Sequence, residues 1–284
     1  SEDSRSFTVK QMEKTKKTGT LVECSILIAM AFVLSFIKII DMPYGGAVTA
    51  ASMLPIIIAG YRHGLKWGLI TSFTYSILQL LTGLSNVSYA TSTTAMIAII
   101  LLDYIVAFTV LGLLGVVKKN KHQTGALVLG TLIVCLLRYL CHFITGCTVW
   151  AGVSIPTADG ALYSLVYNGA YMIPETVVTV YVMALVSNSI DLRAAKPVTR
   201  EKSKNIMAVL NGVLVCGIAI IVDFLIIFRQ IQTEDGFKIT LITNTNWMLV
   251  GVILLVGVIV GGLTYVITKL VVSKKKTVLP RREN

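Results

Sequence analysis

Long apolar stretches separated by short polar segments dominate the sequence. Most are close to the roughly 20 residues that a helix needs to cross the hydrocarbon core of a bilayer. The alternating segments of about ten residues that are typical of a membrane β-barrel do not occur. We therefore predict an all-α membrane protein. The eight predicted spans cover residues 22–40, 47–61, 67–83, 95–117, 124–149, 161–187, 206–228 and 247–271.

The composition excludes a soluble domain. Of the 284 residues, 55% are hydrophobic and 14% are charged, whereas a soluble domain usually carries about 25% charged residues. The five cysteines lie in apolar stretches without a CxxC pair, which favours a packing role. The sequence has no GxxxxGK[ST], HExxH or GxSxG motif, so we expect neither ATP hydrolysis nor another enzymatic activity, and no cofactor or metal.

The basic residues predict how the chain lies in the membrane. The formal net charge is +11, and most Lys and Arg residues fall in alternate connections. This distribution places both termini in the cytoplasm by the positive-inside rule. The excess charge therefore indicates topology and contact with anionic membrane lipid, not binding to nucleic acid. The first apolar run reads as a retained helix and not as a cleaved signal peptide.

The predicted organisation has a main block of six spans and a smaller block of two. A Gly-Gly pair at Gly45 and Gly46 follows Pro43, and Pro55 comes shortly after. This pattern fits either an irregular connection that folds back over the bundle or an ordinary turn with a proline-kinked helix. The predicted regions are a basic cytoplasmic N-terminus (1–21), the six-helix bundle (22–187), a charged cytoplasmic linker (188–205), two accessory helices (206–272) and a basic cytoplasmic tail (273–284).

Ionisable residues inside the predicted spans of the main block are candidates for function, because burying them in lipid is costly. Asp103 lies in the fourth span, Arg138 and His142 share one face of the fifth, and Glu175 lies in the sixth. The polar and aromatic residues that accompany them are Tyr104, Trp150, Tyr163, Tyr167, Asn168 and Tyr171.

Each of these residues also has a simpler interpretation. Trp150 suits the aromatic belt at the membrane interface, Asp103 and Arg138 suit a structural ion pair, and His142 suits a satisfied interior histidine. Their joint occurrence favours an outward-opening site for a flat, cationic organic molecule. Aromatic faces attract cations, a carboxylate balances the charge, and Asn and His supply oriented hydrogen bonds.

Four strings in this part of the chain are distinctive: Met42–Thr49 with Ser52–Ile56, Leu101–Phe108, Leu137–Gly146 with Trp150, and Tyr163–Gly169 with Tyr171–Pro174. Together they resemble one family, the thiamine-specific S components of energy-coupling factor (ECF) vitamin transporters. The first string resembles the connection between the family's first two helices. The other three strings resemble its fourth, fifth and sixth helices, in that order. The resemblance covers about residues 22–187 and implies a multi-pass protein of a prokaryotic plasma membrane.

The resemblance also implies a ligand and partners. The ligand is thiamine, whose cationic thiazolium and flat aminopyrimidine agree with the site deduced from the residues. The partners are one ECF transmembrane subunit and two ECF ATPase subunits. Some members have a Trp where this chain has Gly45 and Gly46, so Tyr44 is a candidate replacement. The implied site residues are Asp103, Tyr104, His142, Trp150, Tyr163 and Asn168, with Tyr44, Arg138, Tyr167 and Tyr171 as secondary candidates.

The first helix carries a predicted docking face. Ser25 and Ala29 form a small-xxx-small pair, a spacing that allows close helix packing in lipid. The resemblance implies contact with the ECF transmembrane subunit here, and the alternative is packing within the chain's own bundle. The accessory helices, with Gly257, Gly261 and a lone Asp223, depart from the family, and we expect them to pack on the bundle or on a partner.

Three alternatives to a thiamine S component remain open. A stand-alone ion-coupled secondary transporter for a cationic organic solute would use the ionisable residues as a relay, although no inverted repeat is evident. An S component for another vitamin would share the fold. A membrane-embedded enzyme would need a cluster of metal ligands or a nucleophile with a base, and the sequence offers neither.

Overall fold

A computed structural model shows a protein built mainly of helices. The structure describes residues 2–42, 45–117, 119, 122–150, 160–201, 203–233 and 236–277. The helices within these ranges are α1 (Glu2–Ser35), α2 (Leu54–His63), α3 (Leu65–Thr82), α4 (Leu84–Val87), α5 (Thr93–Val116), α6 (Gln123–Trp150), α7 (Gly160–Ser189), α8 (Lys204–Ile231) and α9 (Trp247–Thr277). The strands are short antiparallel pairs, β1 (Lys38–Asp41) with β2 (Ala47–Thr49), β3 (Ile190–Asp191) with β4 (Val198–Thr199), and β5 (Gln232–Thr233) with β6 (Gly236–Phe237).

Six of the described helices are long and apolar enough to cross a membrane, which confirms the all-α membrane fold. They are α1 from Gln11 onward, α5, α6, α7, α8 and α9. The predicted second span was wrong in extent, because α2 has only 10 residues and is about 15 Å long at 1.5 Å per residue. Neither α2 nor α3 is among the six, so the eight predicted spans overestimate the number of long apolar helices.

The connection after α1 folds back as a β-hairpin, which we call the cover hairpin (β1, β2 and the described residues between them). The first predicted span was therefore too long at its end, since residues 38–41 are a strand. Pro55 lies in the first turn of α2, where its missing N–H costs no helical hydrogen bond, so it begins the helix and does not kink it. Gly45 has a φ of +95°, a backbone conformation that favours glycine.

Helices α2 and α3 form a hairpin that packs closely on α5. Three glycines make the approach possible, since a Cβ on Gly68 would lie 2.5 Å from the carbonyl oxygen of Gly112 and one on Gly60 would lie 3.1 Å from it. Almost every residue of α2 is buried. This short helix is therefore a core element surrounded by protein, and it holds the end of α5 at a fixed distance from α3.

One buried arginine joins three segments at the end of the bundle where the 188–205 linker lies, which we call the linker end. Arg62 donates to both carboxylate oxygens of Glu23 in α1, and to the carbonyls of Leu192 (2.8 Å), Ala194 (3.1 Å) and Ala195 (3.1 Å). Its side chain is 3% exposed. Buried charges are tolerated where they are paired in this way, so Arg62 fixes α1 and the linker to the end of α2.

The linker is also ordered by its own charged pair. Arg193 donates to both carboxylate oxygens of Asp191, at 2.8 and 2.6 Å. The guanidinium of Arg193 holds the pKa of Asp191 well below its usual value, because it stabilises the charged carboxylate. The β3–β4 pair closes this turn and leads the chain into α8.

The accessory helices α8 and α9 pack on each other and on the main bundle. Small residues line the contact between them, where a Cβ on Gly261 would lie 2.7 Å from the Sγ of Cys216. Helix α8 packs on α7, where a Cβ on Gly217 would lie 2.6 Å from a methyl group of Val177. Helix α8 therefore packs on the bundle, whereas α9 packs on α8.

Candidate functional site

A cavity of about 440 Å³ opens near the cover hairpin, at the end of the bundle opposite the linker, which we call the pocket end. Side chains from α3, α5, α6, α7 and the cover hairpin surround it. All six predicted site residues line it, together with three of the four secondary candidates: Asp103, Tyr104, His142, Trp150, Tyr163 and Asn168, with Arg138, Tyr167 and Tyr171. The fourth secondary candidate, Tyr44, lies outside the described residues.

Asp103 is the centre of a hydrogen-bond network on one wall of the cavity. Its carboxylate contacts His142 Nδ1 at 2.9 Å and accepts hydrogen bonds from the hydroxyl of Thr145 and from Trp150 Nε1, the latter at 3.2 Å. Asp103 lies in a π-helical segment of α5 (Ile99–Val106), and Trp150 ends a π-helical segment of α6 (Gly146–Trp150). Such segments often occur at functional sites.

His142 and Trp150 present aromatic surface beside this carboxylate. The imidazole ring lies 5.9 Å from the ring of Tyr171 in an edge-on arrangement, and the indole lies 6.1 Å from the ring of Tyr89. The Nε2 atom of His142 is buried and has no hydrogen-bond partner among the described residues. The simple interpretation of His142 as a fully satisfied interior histidine therefore does not fit, because one of its ring nitrogens lacks a partner among these residues.

Helix α7 supplies the aromatic wall facing α5 and α6. The rings of Tyr163 and Tyr167 stack at 5.4 Å with an interplanar angle of 12°. Asn168 is fully engaged by protein: its amide donates to His142 O (3.0 Å) and to Ser164, and its oxygen accepts from the hydroxyl of Tyr171 (2.8 Å). In this arrangement Asn168 orients the neighbouring side chains of the cavity.

Tyr104 also has protein partners. Its hydroxyl donates to the carbonyl of Gly83 (3.0 Å) and accepts from the side chain of Asn86 (3.0 Å). A Cβ on Gly83 would clash with the Tyr104 ring, so glycine is needed at this position. These two hydrogen bonds hold the phenol in a fixed position at the cavity wall.

The inner part of the cavity holds a second pair of charged side chains, Arg138 and Glu175. The guanidinium of Arg138 lies 4.2 Å from the ring centre of Phe108, and its Nη1 is 2.9 Å from the sulfur of Met53. Its Nε has no hydrogen-bond partner among the described residues. Arg138 and Asp103 do not form an ion pair, so the structural-pair interpretation of these two residues was wrong.

Several residues that hydrogen-bond to the cavity side chains were not identified from the sequence. Glu175 was noted as an ionisable group, but its bonds to Thr49 were not foreseen. Thr145 follows His142 by three residues, so the helical spacing placed it on the same face and was an available signal. The pairing of Asn86 with Tyr104 gave no such signal, because Asn86 lies in the short helix α4, between two predicted spans.

The charges and surfaces of the cavity favour a small, flat cation. The lining contains three carboxylates, Asp41, Asp103 and Glu175, and two cationic side chains, Lys38 and Arg138, which leaves one formal negative charge when His142 is neutral. Aromatic rings on two walls add attraction for a cation. The described residues contain no group of three His, Cys, Asp or Glu side chains close enough to hold a metal ion.

Comparison with known protein families shows to which family the chain belongs. Residues 21–193 match the family model described as "Thiamine transporter protein (Thia_YuaJ)". The chain belongs to this thiamine transporter family. The predicted family is thereby confirmed, and so is its character as a family of transport proteins and not of enzymes. The relatives are bacterial and the described helices can span a bilayer, so the chain is a multi-pass protein of a prokaryotic plasma membrane.

Two relatives are each similar to 61% of the chain. The thiamine transporter ThiT of Bacillus subtilis (strain 168) is 31% identical over 186 residues, which cover 61% of this chain and 93% of the relative. The thiamine transporter ThiT of Lacticaseibacillus paracasei is 26% identical over 195 residues, which cover 61% of this chain and 89% of the relative. The family match ends at residue 193, so α8 and α9 lie beyond it.

Proposed function

We propose that this member of the thiamine transporter family binds thiamine in the cavity at the pocket end and is the S component of an ECF transporter. In this function it captures thiamine from outside the cell. It delivers the vitamin inward when docked on an ECF transmembrane subunit with two ECF ATPases. The cytoplasmic placement of both termini, predicted from the basic residues, puts the pocket end on the outer side.

One observation carries the substrate proposal: Asp103 is held at the cavity wall by an imidazole, an indole and a hydroxyl. A carboxylate fixed in this way can balance the charge of a thiazolium ring, and the aromatic rings beside it match a flat ligand. The unpartnered Nε2 of His142 adds a hydrogen-bonding position. A cavity of about 440 Å³ also falls in the range typical of small-molecule sites.

The proposal of docking on an ECF module rests on the first helix. Ser25 and Ala29 are both exposed on α1, whereas Ala31 is fully buried in the bundle. Their exposure argues against the alternative that this small-residue pair packs within the chain's own bundle. The Ser25 hydroxyl bonds to Leu21 O within the helix (2.9 Å), so the face can pack against a partner without an unsatisfied polar group.

Calorimetry on the purified full chain tests the substrate proposal. We expect thiamine to bind without ATP and without partners, and riboflavin and biotin not to bind. Binding is expected to quench tryptophan fluorescence through Trp150, and the quenching should disappear in Trp150→Phe but persist in Trp67→Phe and Trp247→Phe. Binding of riboflavin or biotin in place of thiamine would overturn the assignment.

A transport assay separates the S-component proposal from an ion-coupled transporter. Cells that express this chain with an ECF module are expected to accumulate labelled thiamine, and cells that lack every ECF ATPase are not. Accumulation without any ECF ATPase that collapses when the ion gradient is dissipated would favour the stand-alone transporter.

A further inference from the structure

The accessory helices contact the thiamine-family bundle at its pocket end. Helix α8 follows α7 along much of its length, from Gly217 beside Val177 to Phe224 near Gly169, where a Cβ would lie 3.6 Å from the phenyl ring. Both α8 residues lie beyond the part of the chain that matches the family model. The family's own bundle therefore does not account for this contact.

The last two turns of α8 reach a residue of the cavity wall. The ring of Phe228 lies 6.1 Å from the ring of Tyr167, at an interplanar angle of 57°. Tyr167 lines the cavity, and its hydroxyl accepts a hydrogen bond from the backbone N–H of Gly46 at 3.3 Å. Gly46 belongs to the cover hairpin, so Tyr167 is in contact with α8 on one side and with the hairpin on the other.

A second contact joins the accessory pair to the cover hairpin. Ile231, at the end of α8, is fully buried in an apolar cluster that contains Met42 and Val48 of the cover hairpin. Leu241 and Ile242, from the 3-10 segment Ile239–Asn244 that precedes α9, pack against the same cluster. The hairpin thus lies between the bundle and the accessory pair.

The space at Gly46 explains why the position of Tyr167 matters to the hairpin. A Cβ on Gly46 would lie 2.7 Å from the ring of Tyr171 and 3.1 Å from the hydroxyl of Tyr167. The hairpin backbone therefore rests directly on these two rings. Movement of the Tyr167 ring toward α8 would remove both the packing surface and the hydrogen-bond acceptor under Gly46.

We propose that α8 is a support for the substrate site, in which Phe228 and Ile231 act as positioning residues that hold Tyr167 and the cover hairpin over the cavity. Neither Phe228 nor Ile231 lines the cavity. Their contribution is to keep the cover closed, so they set how long a bound ligand stays. The identity of that ligand as thiamine rests on the proposed function.

The test compares Phe228→Ala with two controls in the full chain. Phe228→Tyr keeps the ring against Tyr167, and Val213→Ala removes an apolar side chain from an exposed position of the same helix. Stopped-flow tryptophan fluorescence is to measure thiamine association and dissociation. We expect Phe228→Ala to raise the dissociation rate on the order of tenfold, with near-normal rates in both controls. Equal dissociation rates in Phe228→Ala and the unaltered protein would overturn the proposal.

A ligand-free measurement keeps this inference separate from the proposed function. Amide hydrogen exchange on the protein without thiamine is expected to be faster at Gly46 in Phe228→Ala than in Val213→Ala. Tyr167→Phe, which removes the acceptor, is expected to act in the same direction. Unchanged exchange at Gly46 in Phe228→Ala would overturn the support role whether or not the chain binds thiamine. Absence of thiamine binding by the unaltered protein would overturn the proposed function alone.

Discussion

Glu175 in α7 accepts two hydrogen bonds from Thr49 in the cover hairpin, one from its backbone N–H at 2.5 Å and one from its hydroxyl at 2.7 Å. The two residues are 126 positions apart in the sequence, and Glu175 is 1% exposed. The Thr49 hydroxyl also contacts Ser52 Oγ at 2.8 Å. This buried carboxylate therefore anchors one strand of the hairpin to the floor of the cavity.

We predict that Glu175→Ala loosens the cover hairpin. The change leaves the buried N–H of Thr49 without its acceptor and leaves the hydroxyl with Ser52 Oγ alone, and an unsatisfied buried group costs about 1–3 kcal/mol. Amide exchange at Thr49 should accelerate, and the melting temperature of the purified protein should fall. The matched control is Thr179→Val, which loses only a hydroxyl bonded within α7 to the Glu175 carbonyl. Equal exchange at Thr49 in both variants would contradict the anchoring role.

We predict that Asp103→Asn weakens thiamine binding severely, while the protein still folds. Removing one member of a buried charge pair costs about 3–5 kcal/mol, so calorimetry should show a loss of affinity of at least about 100-fold. Asp223→Asn is the control, because Asp223 is a buried acid in α8 that does not line the cavity. Normal binding by Asp103→Asn, or an equal loss in both variants, would show that Asp103 does not balance the ligand's charge.

We predict that Gly146→Ala weakens thiamine binding through a steric change at the contact of α6 with α7. A Cβ at Gly146 would collide with the hydroxyl of Ser164 and lie 3.1 Å from Asn168 Nδ2. Forcing extra volume into a packed interior costs about 1–3 kcal/mol, so the affinity should fall about tenfold. Gly125→Ala, in the same helix with open space around it, should bind normally. A normal affinity for Gly146→Ala would mean that the two helices adjust without disturbing the site.

We predict that the double change Ser25→Trp and Ala29→Trp blocks uptake but spares binding. Both side chains are exposed on α1, away from the cavity lining, and two indoles there would prevent close approach of a partner helix. Thiamine uptake in cells that supply the ECF module should be lost, whereas calorimetry on the isolated protein should be unchanged. A suitable control is Met30→Trp, at an exposed position of α1 on a different face of the helix. Uptake that survives the double change would remove this face from the docking surface.

Much of the site was predictable because polar groups are expensive in lipid. Asp103, His142 and Arg138 stood out in apolar surroundings, and helical spacing alone put the last two on one face. The positions of α5, α6, α7 and α8 along the sequence were predictable from their long apolar stretches. The limits of α1 and α2 were not, because Ile39 and Ile40 of β1 and Val48 of β2 extend the apolar sequence beyond the two helices.

The cover hairpin was less predictable, because long-range contacts hold it. Gly45, Gly46 and Pro55 indicated an irregular connection, but nothing near Thr49 indicated that its partner is Glu175. The contact of Phe228 with Tyr167 was equally unpredictable from the sequence. The side of a membrane helix that faces lipid and the side that faces protein can both be apolar, so composition does not distinguish them. Which of the two a residue faces is decided by packing, and packing is a property of the folded chain.

The π-helical segment Ile99–Val106 has a consequence for how the fourth long helix tolerates change. A π-turn accommodates an additional residue, and one residue corresponds to about 100° of rotation in an α-helix. Deleting one residue between Tyr104 and Val106 would let this segment relax to α-helical winding, which would keep Gly112 against Gly68 but change the direction in which Asp103 projects relative to His142. In such a helix a substitution alters one side chain. A deletion in the π-helical segment instead changes the direction of several side chains at once, Asp103 among them.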